Sequence, residues 1–401
     1  MTNQDRLSRL AERAASAAAH APAFAARLAA VGLSAADLSS PTGLARLPVL
    51  SKEALMRQQA VEPPFAGYLA APMAEVAHIF VSPGPIFEPV LATDITGMGM
   101  DRMFAAAGLG PDDLALNTWS YHLVPAGLLF DRGLRAVGAG VIPAGPGLSE
   151  LQADLIHALR PTAFLGSAPF FETVAAQYRE RHGATTGHWS LRHAFLAGEP
   201  GDWATRRLQI EAAYGVAVHC CYGTADLGLV GYEERGTPGY LIHPERLVQI
   251  CDPESGAVLP VGQPGQVVIS TLAPGWPMIR FGTGDLAQAE ALDDHGFTTR
   301  MGPVLGRVGS GVKVREIFIY PDHLAWLARE LAPGTEIRLC IDRDDGRDVI
   351  TAEITGPTAD PEQLQAAFRR ITRLRLDRHA QVAAFTFGQA LHDARHAAPR
   401  T

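Results

Sequence analysis

The chain has 401 residues, 47% of them hydrophobic and 19% charged, so it is globular and too long for a single hydrophobic core; at least two domains are expected. Its net charge of −8 contains no block of like charge, and the Arg-rich "FRRITRLRLDR" is interrupted by apolar residues at helical spacing, which suits a solvated helix face and argues against nucleic acid as a partner. The four cysteines, Cys220, Cys221, Cys251 and Cys340, include an adjacent pair, poor material for a disulfide framework or a zinc site; a reducing, cytoplasmic location fits.

The alanine-rich opening carries Asp5, Arg6, Arg9, Glu12, Arg13 and Arg27, so it offers no apolar stretch long enough to span a bilayer and reads as an amphipathic helix pair. A mitochondrial presequence is the alternative, and the acidic residues weigh against it. Residues 78–90, "HIFVSPGPIFEPV", look like a strand running into a tight loop. From Asp101 to about Ala273, helical patterns alternate with short apolar runs: "SELQADLIHALRP" is a helix ended by Pro161, "TAFLGS" a buried strand, "ATRRLQIEAAYG" a helix closed by Gly215. That is the grammar of a parallel sheet covered by helices. From "LIHPERLVQICDPESGAVLPVGQPGQVVISTL" the rhythm becomes short strands between Pro/Gly/Asp turns, an antiparallel meander. The closing stretch reads strand, helix "PDHLAWLARELA", strands "IRLCIDR" and "VITAEI", helix "PEQLQAAFRRITRL" and strand "AQVAAFTF". The expected fold class is α/β: a large N-terminal domain, residues 1–306, with doubly wound mixed sheets and a β-rich lobe, followed by a small, mobile α+β domain, residues 307–401.

Common catalytic signatures are missing. There is no G-x-x-x-x-G-K-[ST] loop, no G-x-S-x-G elbow and no H-E-x-x-H, and in "GAGVIPAG" Pro143 stands where a dinucleotide-binding helix would open. Four other stretches place polar groups at the end of an apolar strand, where a ligand can be held. "VHCCYGTADLGLVGYE" offers Tyr222 to stack a base and Asp226 as a carboxylate for a metal. "MIRFGTGDLAQ" exposes Asp285, suited to a ribose diol. "LGRVGSGVKV" sets Arg307 and Lys313 around a flexible loop able to reach an anion, and "FLAGEPG" puts Glu199 at a strand end. Taken singly, each is also ordinary turn chemistry. Their order along the chain gives them weight.

In that order these stretches resemble the adenylate-forming acyl-CoA ligases, specifically the phenylacetate–CoA ligase branch. "LPVLSKEAL" is similar to that branch's opening P-[VL]-[LT]-[TS]-K element, and "FLAGEP", "CCYGTADLG", "DPESGAVLPVGQPGQVVISTL", "PMIRFGTGDLA", "GRVGSGVKVREIFIYP" and "FGQALHDAR" follow in sequence. The resemblance implies a two-step ATP-dependent reaction: a carboxylate attacks the α-phosphate of ATP to give an acyl-adenylate and pyrophosphate, then, after the small domain rotates, the thiol of coenzyme A displaces AMP. It implies Tyr222 packing on adenine, Asp285 and Arg307 on the ribose hydroxyls, and Asp226 in place of the usual Mg²⁺-binding glutamate. Ser82, Gly84, Gly198, Glu199, Gly223 and Thr224 complete the nucleotide site, and Lys313 and Gln389 join Asp226 as catalytic candidates. The acyl group, from an aryl or small organic acid, is expected near Trp119, Tyr121, His122 and Ser167, although the first two read equally well as core. A homodimer is a family-level expectation.

Three departures bear on adenylation. The family's Ser/Thr/Gly-rich phosphate loop is here Val81-Ser82-Pro83-Gly84-Pro85-Ile86-Phe87-Glu88-Pro89, poor in hydroxyls and N–H donors and with an acidic residue near the phosphates, so pyrophosphate is expected to be held weakly. The C-terminal lysine corresponds to Gln389, which cannot offset developing negative charge. The hinge carries Gly309 and Ser310, and Glu316 stands where glycine is common. These motivate an alternative: a degenerate member with weak or no adenylation, acting as a nucleotide- or acyl-binding accessory protein.

Overall fold

The computed structural model describes residues 3–82, 85–185, 189–197, 203–234, 237, 239–308, 311–315, 317–319, 321–344, 347–357 and 360–395. The chain divides into two compact units, one comprising Met1–Ser82 and Phe87–Gly306, the other Pro83–Ile86 and Arg307–Thr401. No helix among the described residues is long and apolar enough to cross a membrane.

The first unit opens with helices Asn3–His20 and Pro22–Ala29. In the first, Leu7, Leu10, Ala14 and Ala17 recur at helical spacing and are at most 2% exposed, the apolar stripe that lets an amphipathic helix lie on a core. Polar contacts fix its seat. Arg6 donates to the Arg246 carbonyl at 2.5 Å and pairs with Asp293 at 3.4 Å, while Arg9 pairs with Glu245 at 3.0 Å.

The strands of this unit are, in chain order, β1 (Leu50–Ser51), β2 (Val76–Ser82), β3 (Ile86–Leu91), β4 (Leu114–Asn117), β5 (Gly140–Pro143), β6 (Ala163–Ser167), β7 (His193–Ala197), β8 (Ala217–His219), β9 (Cys221–Thr224), β10 (Gly228–Tyr232), β11 (Tyr240–Ile242), β12 (Arg246–Cys251), β13 (Pro264–Thr271), β14 (Phe281–Leu292), β15 (Thr298–Met301) and, straddling the division, β16 (Gly306–Arg307). The order β5-β4-β6-β7-β8 forms a parallel sheet. Because β5 and β6 lie on opposite sides of β4, the winding reverses there, and the crevice beyond the C-terminal ends of β4 and β6 is the switch point of a doubly wound sheet. Alternate residues fill both faces: Phe164, Ala194, Leu196 and Val218 enter one buried cluster, Ala115, Ala163, Leu165 and Phe195 another. A strand covered on both sides needs an unbroken apolar run, which is why "TAFLGS" lacks alternation.

The second sheet runs β1-β14-β13-β12-β15-β11-β10-β9, with β1 parallel to β14 and the other neighbours antiparallel. Between β12 and β13, Asp252 Oδ1 accepts the backbone N–H groups of Glu254 and Ser255 at 3.2 and 2.8 Å and the Ser255 hydroxyl at 2.7 Å, the local chemistry that makes "DPESG" a turn. β2 and β3 form a separate two-stranded sheet.

In the second unit β17 (Val312–Val314) and β18 (Ile317–Ile319) form a hairpin, and β19 (Glu336–Asp344), β20 (Arg347–Thr355), β21 (Arg378–Gln381) and β22 (Leu391–Asp393) form a sheet in the order β21-β20-β19-β22, with helices Pro321–Glu330 and Pro361–Thr372. The strand expected at "AQVAAFTF" is displaced: β21 ends at Gln381. Beyond it, Arg338 lies over the Phe385 ring at 4.2 Å and donates to the Phe387 carbonyl, while Glu353 accepts from the Thr386 N–H at 2.8 Å, so side chains fix this segment in place of a ladder.

Candidate active site

The turn between β9 and β10 exists because two of its glycines have no room for a side chain. A Cβ on Gly223 would stand 2.8 Å from the Gly228 carbonyl oxygen, and one on Gly228, at φ +70°, would stand 2.2 Å from Met98 Cβ. Arg246, buried under the turn, donates to the carbonyls of Leu227 and Met98 at 2.8 and 3.1 Å. The consequence is that Asp226 faces inward, 1% exposed.

Two clusters of polar side chains converge here. In the first, the Tyr222 hydroxyl donates to Asp285 Oδ2 at 2.7 Å with Thr283 Oγ1 3.1 Å away, and Thr283 in turn accepts the Asp285 N–H at 3.1 Å. Tyr222 is 7% exposed while Asp285 is half-buried, so the carboxylate is held by the tyrosine and still reaches the surface. This joins two motifs that lie 63 positions apart in the chain.

The second cluster includes residues with no assigned role in the sequence reading. β1 pairs with β14 in the register Ser51↔Gly282, three residues short of Asp285, and Ser51 then caps helix Lys52–Val61 by accepting the Ala54 N–H at 3.1 Å. Lys52, at the start of that helix, reaches Asp226 Oδ2 at 2.8 Å. The "SK" of "LPVLSKEAL" was therefore a visible signal, legible as a motif but not as a partner for Asp226.

Glu88 lies beside the same carboxylate, 1% exposed, and accepts the Ser82 hydroxyl at 2.7 Å. Burial, then the neighbouring Asp226 carboxylate, pushes the Glu88 carboxyl well above the usual carboxylate range, with Lys52 and Ser82 offsetting part of this. The expectation of an acidic group facing the phosphates is thus corrected, because Glu88 is buried and turned inward to Ser82, where burial favours its protonated form. Ser82, expected to bind nucleotide, is 7% exposed and spends its hydroxyl on Glu88. A raised folded-state pKa means that Glu88's contribution is fully present below the ordinary glutamate pKa of about 4.3 and is lost as pH rises through its higher folded value. Glu88→Gln keeps an acceptor for Ser82 without the proton linkage. In urea melts from pH 4 to pH 8 it is expected to lose part of the wild-type decline in stability with rising pH; an unchanged slope would place Glu88's titration in the ordinary range.

Asp226 does not suit the Mg²⁺ ion expected of it. Mg²⁺ demands octahedral oxygen ligands and keeps several waters, whereas this carboxylate is buried and already matched by an ammonium. Its side chain also shares a hydrogen bond with the Glu88 carboxyl, while Thr224 Oγ1 is buried close by without a partner. Among the described residues no group of three or more His, Cys, Asp or Glu could hold a metal ion.

The acyl-pocket candidates follow the C-terminal ends of β4 and β6, at the switch point. Trp119 packs on Phe130 with ring centroids 6.1 Å apart; Tyr121 accepts from Asn117 Nδ2 at 2.8 Å and donates to Asp131 at 3.1 Å; His122 is exposed; Ser167 caps helix Ala168–His182, accepting the Phe170 N–H at 3.4 Å. Asn117 and Asp131, which fix the Tyr121 ring, carried no sequence signal. Gly84, Gly198 and Glu199, like Gly309, Ser310 and Glu316, lie outside the described residues. In the second unit Lys313 sits in the β17–β18 hairpin and Gln389 is exposed ahead of β22, while Arg307 follows Gly306 at the division. The closing Asp393 and Arg395 are paired with each other at 2.6 Å, and Arg395 also meets Asp348 at 3.0 Å, a structural clamp.

The chain is 30% identical over 268 residues to a phenylacetate–coenzyme A ligase of Thermus thermophilus, covering 64% of this chain and 60% of that protein. It is 27% identical over 354 residues to the phenylacetate–coenzyme A ligase of Aromatoleum evansii, covering 84% and 78%. The chain is thus similar in sequence to phenylacetate–CoA ligases, the adenylate-forming enzymes its motifs resemble. No family model matches it. A 2-hydroxyisobutyryl-CoA ligase, solved with 2-HIB-AMP and CoA, superposes with a TM-score of 0.85 at 24% identity over 98% of this chain and 90% of that one, which shows a shared fold. An amide bond synthetase from Marinactinospora thermotolerans aligns with a TM-score of 0.56 at 17% identity over 79% and 67%. The matched region spans less than two thirds of the Thermus protein's length.

Proposed function

We propose that the protein is an AMP-forming acid–CoA ligase of the cytoplasm. A carboxylate oxygen of an aryl or small organic acid attacks the α-phosphorus of ATP, releasing pyrophosphate; the thiol of coenzyme A then attacks the acyl carbon, loses its proton and releases AMP. The observation that carries this reading is the Tyr222–Asp285 hydrogen bond, which brings together from β9 and β14 a ring for adenine and a carboxylate for the ribose diol, as the family resemblance implies. Trp119, Tyr121, His122 and Ser167 are assigned to the acyl group because they border the switch-point crevice, where α/β sheets hold ligands. Homodimerisation remains an expectation from the resemblance.

The buried Ser82–Glu88 pair favours the second reading, a member with weak adenylation, since it withdraws a hydroxyl from the phosphates. Purified protein with ATP, divalent cation, coenzyme A and a panel of aryl, hydroxy and branched acids separates the two readings. The ligase reading predicts AMP and an acyl-CoA thioester in equal amounts with at least one acid; nucleotide binding without turnover across the panel supports the accessory protein. Gln389→Lys is expected to raise the adenylation rate about ten-fold or more by restoring a positive charge, an effect of the order that preorganised charge supplies. An unchanged rate would show that Gln389 does not stand in the missing lysine's place.

A further inference from the structure

We infer that Lys52 is a built-in counter-ion for Asp226, so that this position holds no divalent cation and any Mg²⁺ brought by ATP is held without it. Three observations converge on this. Lys52 Nζ stands 2.8 Å from Asp226 Oδ2, its side chain is 15% exposed and that of Asp226 1%. Burial on both sides means the pair was desolvated together, so an incoming dication must displace an ammonium without water to receive it. The pair is also positioned by backbone: the β1–β14 register and the Ser51 cap place Lys52, and the two glycines of the β9–β10 turn place Asp226. Lastly, the Glu88 carboxyl beside it accepts the Ser82 hydroxyl at 2.7 Å with one oxygen and is hydrogen-bonded to the Asp226 side chain, so its proton, like the Lys52 ammonium, occupies the place an ion would take. Mg²⁺ bound through phosphate oxygens and water needs no protein carboxylate here.

The inference deepens the ligase reading, and the part concerning ATP rests on it. The test is a Mn²⁺ titration followed by electron paramagnetic resonance on the full chain, with and without a non-hydrolysable ATP analogue whose own binding is measured separately by calorimetry. The wild type and Asp226→Asn are expected to take up Mn²⁺ with affinities within about two-fold of each other in both conditions. Lys52→Gln, which frees the carboxylate, is expected to gain a Mn²⁺ site at least ten-fold tighter than any in the wild type. A wild-type site weakened ten-fold or more by Asp226→Asn would overturn the inference. If Asp226→Asn does not fold with Lys52 unpaired, Lys52→Gln/Asp226→Asn removes both charges and serves as the comparison, with the same two outcomes deciding. Failure of the analogue to bind would count against the ligase reading alone, since the nucleotide-free titration still decides the role of Lys52.

Discussion

Asp285→Ala is expected to weaken ATP binding by about ten- to a hundred-fold, the value of hydrogen bonds to a charged group, about 1.5–3 kcal/mol. Titration calorimetry reads it directly. The carboxylate is half-buried and receives the Tyr222 hydroxyl at 2.7 Å, so its direction is set before a ligand arrives and little ordering cost remains at binding. Its loss removes the acceptor for a ribose diol and also frees the Tyr222 ring to tilt. Asp285→Asn, which keeps an acceptor but not the charge, should fall between. Unchanged affinity in the alanine variant would refute the ribose assignment, whatever the protein's activity.

The largest effect on stability is expected four residues before Gly284, at Arg280. This arginine, 1% exposed, donates to the carbonyls of Ala45 and Gly256, the latter at 2.6 Å, and lies 3.5 Å from the Cys251 sulfur. It therefore ties the turn after β12 to the segment leading into β1 and Lys52. Truncation to alanine removes the donor shared by the partly buried Ala45 and Gly256 carbonyls and leaves a cavity the size of a guanidinium, at a cost of about 2–5 kcal/mol. Urea unfolding of Arg280→Ala would show this as a lower midpoint; Arg280→Lys, able to reach one carbonyl, should recover part of it. A loss within about 1 kcal/mol would mean that Arg280 is solvated in solution.

These two residues mark what the sequence could and could not disclose. Asp285 was singled out from Gly-Thr-Gly-Asp read as a turn that ends a strand; the structure instead runs these residues within β14, and the Tyr222 hydroxyl orients the carboxylate. Tyr222 was likewise singled out from a local pattern, and the alternation of apolar runs with helical spacing disclosed the parallel sheet. Lys52 and Asp226 are 174 positions apart, and nothing local in either says that they meet. Arg280 reads as an exposed charge between apolar neighbours until the carbonyls of Ala45 and Gly256 are seen closing around it. Glu88 carries the sharpest lesson: a glutamate read as part of a loop suggests negative charge, but it lies in β3, where burial beside another carboxylate favours the neutral form. In each case the missing information was burial and a distant partner, which residue spacing cannot supply.

The change in the phosphate-loop region is therefore of a different kind from the one composition suggests. The stretch around Ser82 has turned a hydroxyl and an acidic group inward to build a buried network with Asp226 and Lys52. On the ligase reading, neither the Glu88 carboxyl nor the Ser82 hydroxyl, paired with each other at 2.7 Å, is offered to pyrophosphate. On this account the first half-reaction survives, with pyrophosphate loosely bound.

Acid-dependent exchange of labelled pyrophosphate into ATP tests that claim most directly, because it reports formation of the acyl-adenylate and its reversal without coenzyme A. The account predicts exchange that depends on one of the panel acids, saturates only at high pyrophosphate, and is lost in Asp285→Ala. Absence of exchange with every acid, in protein that binds ATP, would contradict it.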